Sequence, residues 1–326
     1  MRTIKVALAA IGLMTGLYSV ASAQTWPAKP ITMVLPFPAG GSADVVGRAM
    51  ADEMGKRLGQ PVVVENRAGA SGIVGASYVA KAPADGYTVM FTTTLPIMTN
   101  QFVFAKLPYD PRKDFALISQ VATGQLVLAV PARSVQAKSV KEFVEWAQQN
   151  KGKVNYGSWG VGSAAHLMGA FMSNSRGMEM SHIAYKGEAP MLQDLIGGQV
   201  QMAIGSYMSI KPYLESGKLR ALAVTGDKRI DGIPDVPTFQ QAGLTEPEFR
   251  PVGWLVLVAP AATPAPVLAR LEKEAIAAAN TTAVKARLQV AGLEAMGTTS
   301  ARFRDDYQTA MPVLERIVKV SGARVE

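Results

Sequence analysis

At 326 residues, 48% of them hydrophobic, the chain is too long for one small core and suits two domains of ordinary size. The absence of cysteine excludes a disulfide framework and thiolate chemistry, so stability has to come from packing. A formal net charge of +8, scattered without a lysine or arginine block, argues against nucleic-acid and polybasic-lipid partners and leaves a mild field that attracts anions.

The first residues have the shape of an export leader. Arg2 and Lys5 precede an apolar run over 6–20, and Ala21-Ser22-Ala23 supplies a small-x-small cleavage site before Gln24. That run is too short for a stable anchor, and no later stretch approaches the roughly 20 apolar residues of a span. Cleavage near Ala23 removes Arg2 and Lys5, leaving an exported, soluble chain of formal charge +6.

Residues 31–35 read as a buried strand that breaks into the glycine loop Pro36-Phe37-Pro38-Ala39-Gly40-Gly41-Ser42-Ala43-Asp44. From Ser42, Val46, Met50 and Met54 recur at helical spacing until Gly59 ends the run. A glycine loop at a helix N-terminus, with unpaired N–H groups and the positive end of the macrodipole, favours a carboxylate or phosphate by roughly 0.3–2 kcal/mol. The same loop is also an ordinary tight turn, and Asp44 is a first-turn dipole partner, a loop fastener or a receiver of a ligand amine.

A second strand over 61–65 leads into another glycine loop over 66–72 and a helix carrying Ile73 and Ala80. The strand over 87–91 ends in Thr92-Thr93-Thr94, placed to face a cleft at the carboxyl ends of parallel strands. Residues 117–130 form a long apolar run, interrupted by Gly124, that is long enough to pass between domains. Ser139 and Glu142 have capping-box spacing and start the next helix.

The opening architecture then returns: a strand near Val154, a glycine and hydroxyl loop over 157–163, and a helix with His166 and Leu167. Two such loops about a domain apart are what a ligand clamped between two lobes requires. The strand over 181–185 is followed by Lys186, a possible counter-charge or a plain loop lysine. A helix through Leu192 follows, then strands over 200–204 and 219–225 with Ser206 and Tyr207 between them. Residues 232–243 read as a proline-rich surface excursion, 254–258 as a second long strand, and everything from Pro264 onward as helix, short turn, helix. Strands alternating with helices imply parallel sheets covered on both faces.

Several chemistries are absent from the pattern. Gly160-x-Gly162-x-x-Ala165 fits a permissive dinucleotide fingerprint, but Glu179 precedes the strand on which the acidic residue of that motif should lie. Neither a P-loop nor a Gly-x-Ser-x-Gly elbow occurs. His166 and His182 are the only histidines, so a zinc site would need distant carboxylates. Ser163 and His166 make either a nucleophile and base or, preferably, a lining loop and helix cap.

With both loops in hand, the sequence resembles the periplasmic receptors of tripartite tricarboxylate transporters, the Bug family. The matching residues run in order through Trp26-Pro27-x-Lys29-Pro30-Ile31, the 36–44 loop, Glu65-Asn66-Arg67-x-Gly69-Ala70, Pro83-Ala84-Asp85-Gly86-Tyr87, Asn155-Tyr156-Gly157-Ser158, Gly162-Ser163-x-x-His166-Leu167, Tyr185-Lys186-Gly187 and Asp235-Val236-Pro237-Thr238.

The resemblance implies an α/β type II periplasmic-binding-protein fold, with two lobes of parallel-rich sheets joined by two crossovers. The expected division is a leader over 1–23, lobe I over 24–124 plus 251–326, and lobe II over 125–250. It further implies a non-enzymatic, cofactor-free, metal-free, monomeric periplasmic receptor. Such a receptor captures a small carboxylate and docks on the membrane subunits of a transporter, or feeds a signalling partner. By the same resemblance the ligand meets Phe37, Ala39, Gly40, Gly41, Ser42, Asp44 and Thr93 of lobe I. On lobe II it meets Ser158, Gly162, Ser163, His166, Tyr185 and Lys186. Gly205-Ser206-Tyr207 departs from the acidic or amide residue common in relatives; with Ser206 there instead of an acid an amino-acid ligand is disfavoured, and Tyr207 and Trp159 are expected to shape the site for an apolar or aromatic body.

Overall fold

The computed structural model describes residues 26–250 and 253–323, so the leader expected over 1–23 lies outside the described residues. In chain order the first sheet begins with β1 (Ile31–Leu35), α1 (Ser42–Leu58), β2 (Val62–Asn66), α2 (Ile73–Ala80), β3 (Thr88–Thr93), α3 (Asn100–Val103) and β4 (Phe115–Gly124). A second sheet follows with β5 (Leu126–Pro131), α4 (Val140–Gln149), β6 (Asn155–Ser158), α5 (Ala164–Ser175), β7 (Ser181–Ala184), α6 (Glu188–Gly197), β8 (Met202–Ser206), α7 (Tyr207–Glu215) and β9 (Leu219–Val224). The chain returns through β10 (Gly253–Pro260), α8 (Ala265–Ala279), α9 (Thr282–Val290), β11 (Leu293–Ala295) and α10 (Ser300–Ser321).

Local sequence explains much of this. The apolar positions of α1 bury Val46, Met50 and Met54 against the sheet, and Gly59 closes the helix in the left-handed conformation. Ser139 caps α4 by accepting the Glu142 N–H at 3.1 Å, while the Glu142 carboxylate accepts from Lys138 N–H, one residue before the cap. Phe143 and Ala147 face the core from the same helix.

The sheet orders are β11-β4-β10-β3-β1-β2 and β7-β6-β8-β5-β9. This is the two-lobed α/β architecture that the resemblance implies. The sheets are mixed, which corrects the expectation of parallel sheets throughout. β1 pairs in parallel with β2 and β3, and β6 with β7 and β8, but β10 and β5 run antiparallel to their neighbours. These two strands arrive directly from the opposite lobe. They start at the cleft and run away from it, as the short β11 does beside β4, whereas the other helix-connected strands run toward it.

Two linkers join the sheets, one at Gln125 and one that leaves β9 at Thr225. They are tied together where they cross: Leu126 N–H donates to Thr225 Oγ1 at 2.9 Å, and the Gln125 side chain donates to the carbonyls of Thr225 and Lys228. The excursion over 232–243 is not merely superficial. Phe239 is buried with Leu244 and Phe249 in the lobe II core, and Phe239 N–H donates to Val224 O at 3.0 Å. The C-terminal segment also differs from helix, turn, helix. It holds three helices and the short strand β11, which pairs with β4; three residues are too few to show an alternating pattern.

Among these, α10 connects the two sheets a third time. Phe303 and Tyr307 pack with Val256 and Val258 of β10, while Ile317 and Val318 join the core around α5. Asn174 of α5 donates to Val320 O at 2.7 Å.

Candidate functional site

Parallel strands followed by helices put their carboxyl ends, and the loops leaving them, on one side of each sheet. In lobe I those loops span 36–41, 67–72 and 94–99; in lobe II they span 159–163 and 185–187, with the β8–α7 junction at Ser206. A Cβ added to Gly162 would sit 3.3 Å from Val103 of α3, so the lobe II loop already meets lobe I there.

The first loop is built around Asp44. Its buried carboxylate accepts from Gly40 N–H at 3.0 Å, Arg48 Nε at 3.0 Å, Arg48 Nη2 at 2.9 Å and Asn66 Nδ2 at 2.9 Å. Asn66 also donates to Phe37 O at 3.1 Å, linking the first glycine loop to the end of β2. Burial works to raise the Asp44 pKa, but the hydrogen bonds from Arg48, Gly40 and Asn66 outweigh it and hold the carboxyl at about 2. Of the three roles open to Asp44, this geometry is that of the loop fastener. Replacing it with alanine should cost about 1–3 kcal/mol by leaving part-buried donors unpaired. Thermal melts should show a drop of roughly 2–4 °C per kcal/mol, and ligand affinity should fall with the loop's order.

Above this anchor, Ala39, Gly40, Gly41 and Ser42 are exposed and Phe37 is half-buried. Gly40 has φ +88°, a left-handed conformation that favours glycine, and no side chain caps α1 at Gly41. An uncapped helix start under an exposed backbone loop can receive an anion through its N–H groups. Thr93 lies beside it, half-buried, with its hydroxyl accepting from Leu95 N–H at 3.3 Å.

Lobe II is more tightly committed. Ser163 is buried and caps α5 by accepting His166 N–H at 3.3 Å, and His166 Nδ1 accepts Gly162 N–H at 3.1 Å. Both groups therefore act on backbone, as the cap reading held. Ser158 is buried, with its hydroxyl 2.7 Å from His182 Nε2. Tyr185 is half-buried and donates to Asp194 at 2.7 Å, whereas Lys186 is exposed.

At the β8–α7 junction the acid comes from elsewhere in the chain. Glu188, at the start of α6, accepts from Ser206 N–H, and the hydroxyls of Ser206 and Ser209 lie 2.9 Å from its Oε2. Burial raises the Glu188 pKa against these hydrogen bonds. Sequence reading missed this residue, because a glutamate in the first turn of a helix resembles a simple dipole partner. Tyr207 is buried among Val127, Met191 and Ile210, with its hydroxyl against Gly232 and unpartnered among the described residues. Trp159 is half-buried and packs against both lobe II clusters.

A cavity of about 880 Å³ lies elsewhere, between β4, α8 and α10, lined by Leu117, Lys273, Tyr307 and Met311 among others. None of the glycine-loop residues borders it, and the candidate site is instead the exposed backbone of the first loop together with the lobe II loop. No group of three or more metal-ligating side chains occurs among the described residues.

Residues 46–320 match the family described as the tripartite tricarboxylate transporter family receptor. The chain is 32% identical over 323 residues to the protein BugT of Bordetella pertussis, covering 98% of each. Among solved structures, it is similar to a Rhodopseudomonas palustris protein solved with adipate, with TM-score 0.80 and 33% identity over 91% of this chain and 98% of that one. It is also similar to MatC of the same organism with bound malate, with TM-score 0.78 and 29% identity over 90% of this chain and 100% of that one.

Proposed function

The chain belongs to the tripartite tricarboxylate transporter receptor family, and we propose that it captures a small dicarboxylate between its lobes and delivers it to the membrane subunits of such a transporter. Its place in the family makes it a periplasmic solute-binding receptor, not an enzyme. The observation that carries the ligand class is the exposed Ala39–Ser42 backbone over an uncapped α1, fixed by Asp44. Neutral N–H donors at a helix start suit a carboxylate without a full arginine clamp. A second carboxylate at the other end of a short chain would reach toward the lobe II loop, whose Gly160 and Gly162 N–H groups are already held by Ser158 and His166. The relatives solved with adipate and malate support the same class.

Function then follows from hinge motion about the Gln125 and Thr225 linkers. A ligand that touches both lobes binds the closed form more tightly and shifts the population toward it. The closed, loaded receptor is the form that docks on the membrane subunits.

The test is thermal unfolding of protein refolded to strip any co-purified ligand, against mono-, di- and tricarboxylates, amino acids and aromatic carboxylates. A ligand at 100 times its dissociation constant should add about 2.7 kcal/mol of stability. A rise confined to dicarboxylates supports the proposal; a rise only with amino acids, or none with any carboxylate, overturns it.

A further inference from the structure

His166 of α5 and His182 of β7 stack face to face, with ring centroids 3.8 Å apart and planes 13° from parallel. Tyr156 of β6 extends the stack, 5.0 Å from His182, and Gly169 leaves room for its ring: a Cβ there would lie 2.5 Å from it. Both imidazoles bond to the loop that precedes α5. His166 Nδ1 accepts the N–H of Gly162, and His182 Nε2 lies 2.7 Å from Ser158 Oγ, which in turn accepts Gly160 N–H at 3.2 Å. Gly160, through Ser158, and Gly162, directly, are thus tied to this pair.

The hydrogen-bond roles are not symmetric. Because Gly162 donates to His166 Nδ1, that nitrogen carries no proton in this arrangement. Adding one would place two donors against each other. The Ser158–His182 bond survives protonation, since a hydroxyl can accept from Nε2 and donate to Gly160 O at 3.1 Å.

We propose that the stacked His166–His182 pair is a positioning device for the 158–163 loop, in which proton uptake at His166 frees Gly162 and weakens ligand binding. The proposal rests on the reading of this loop as the lobe II half of the ligand site. His182, through stacking and Ser158, holds the His166 ring in register and opposes its charging.

The surroundings fit a neutral pair. The titratable groups facing it are Tyr156 on β6 and each histidine toward the other; no carboxylate or ammonium acts on either ring among the described residues. Burial pushes both imidazoles down to about 4, with His182 adding to the effect on His166, and burial pushes the Tyr156 phenol up. The held loop therefore binds fewer protons than the freed loop. By linkage, raising the pH favours the held loop and lowering it toward 4 favours release.

The test has a ligand-free and a ligand-bound arm. In the free protein, NMR should show the Gly162 amide shifting and losing exchange protection as the His166 ring titrates between pH 5 and 3, with far-UV CD confirming that the fold persists. For binding, adipate and malate titrations at pH 7 and pH 3.5, below the His166 midpoint, are compared in the parent, H166Q and H182Q, each normalised to its own affinity at pH 7. The ligand's own carboxyl titration is common to all three. The parent should lose at least threefold more affinity than H166Q, and H182Q should lose its affinity at a higher pH than the parent.

Parallel pH profiles in parent and H166Q, or a Gly162 amide indifferent to His166 titration, would overturn the proposal. If neither dicarboxylate binds the parent at pH 7, the ligand reading fails for them, and the Gly162 amide arm alone decides whether the pair holds the loop.

Discussion

Gly41→Val protein is expected to fold as the parent does and to lose its ligand. Gly41 has φ −78° and ψ 169°, extended backbone open to any residue, and a Cβ there meets nothing within 4 Å. Valine at this helix start costs at most about 1 kcal/mol relative to glycine. Its branched side chain nevertheless stands beside the N–H groups that a carboxylate has to approach. Affinity for the ligand identified by the thermal panel should fall at least ~100-fold, about 2.8 kcal/mol at 1.4 kcal/mol per decade. Calorimetric titration checks the affinity, and a melt without ligand checks the fold. Gly40→Ala is the contrasting variant: at φ +88° it adds backbone strain, so its unliganded melting temperature should fall as well. Full affinity in Gly41→Val would remove the first loop from the binding site.

Arg316→Met is expected to be the most destabilising single change outside the cores. Glu248, in the second linker, is 0% exposed, and its carboxylate meets the Arg316 guanidinium through both Nε and Nη2, the latter at 2.6 Å. Methionine keeps much of the side chain's apolar packing and removes the charge. A buried carboxylate without its partner costs about 3–5 kcal/mol. At 2–4 °C per kcal/mol the melting temperature should fall by roughly 6–20 °C. Adding Glu248→Gln should recover a large part of the loss, because the unpaired charge goes with it. A single variant that melts within about 1 °C of the parent would mean that the pair contributes nothing.

The Arg316 pair also shows why the C-terminal helix matters for function. It fastens α10 to the second linker, close to where the same helix packs on α5. A hinge that closes on ligand has to move against or with this fastening. Glu248 and Arg316 are thus placed to influence the energy difference between open and closed forms without touching ligand.

The chain's own pattern specified the repeated unit of strand, glycine loop and helix. Residues 31–59 spell it out through an apolar run, Gly40-Gly41 and a 3.6-residue period, and 154–175 repeat it. These signals are legible because each depends on neighbours along the chain: periodicity on the helix turn, capping on a side chain three residues away, turns on backbone freedom at single positions. The ordered set of motifs carried the family, and with it the two lobes.

Only the tertiary structure decided which side chains complete each loop. Asp44 gains Asn66 from the next strand, Ser206 gains Glu188 from a different helix, and His166 on α5 gains His182 from β7. It also decided that β5 and β10 run antiparallel, that Phe239 is core, and that α10 spans both lobes. The physical reason is common to all of them. Sheet order and register bring residues distant in sequence within hydrogen-bonding range, and a buried polar group then takes whichever partner that register supplies.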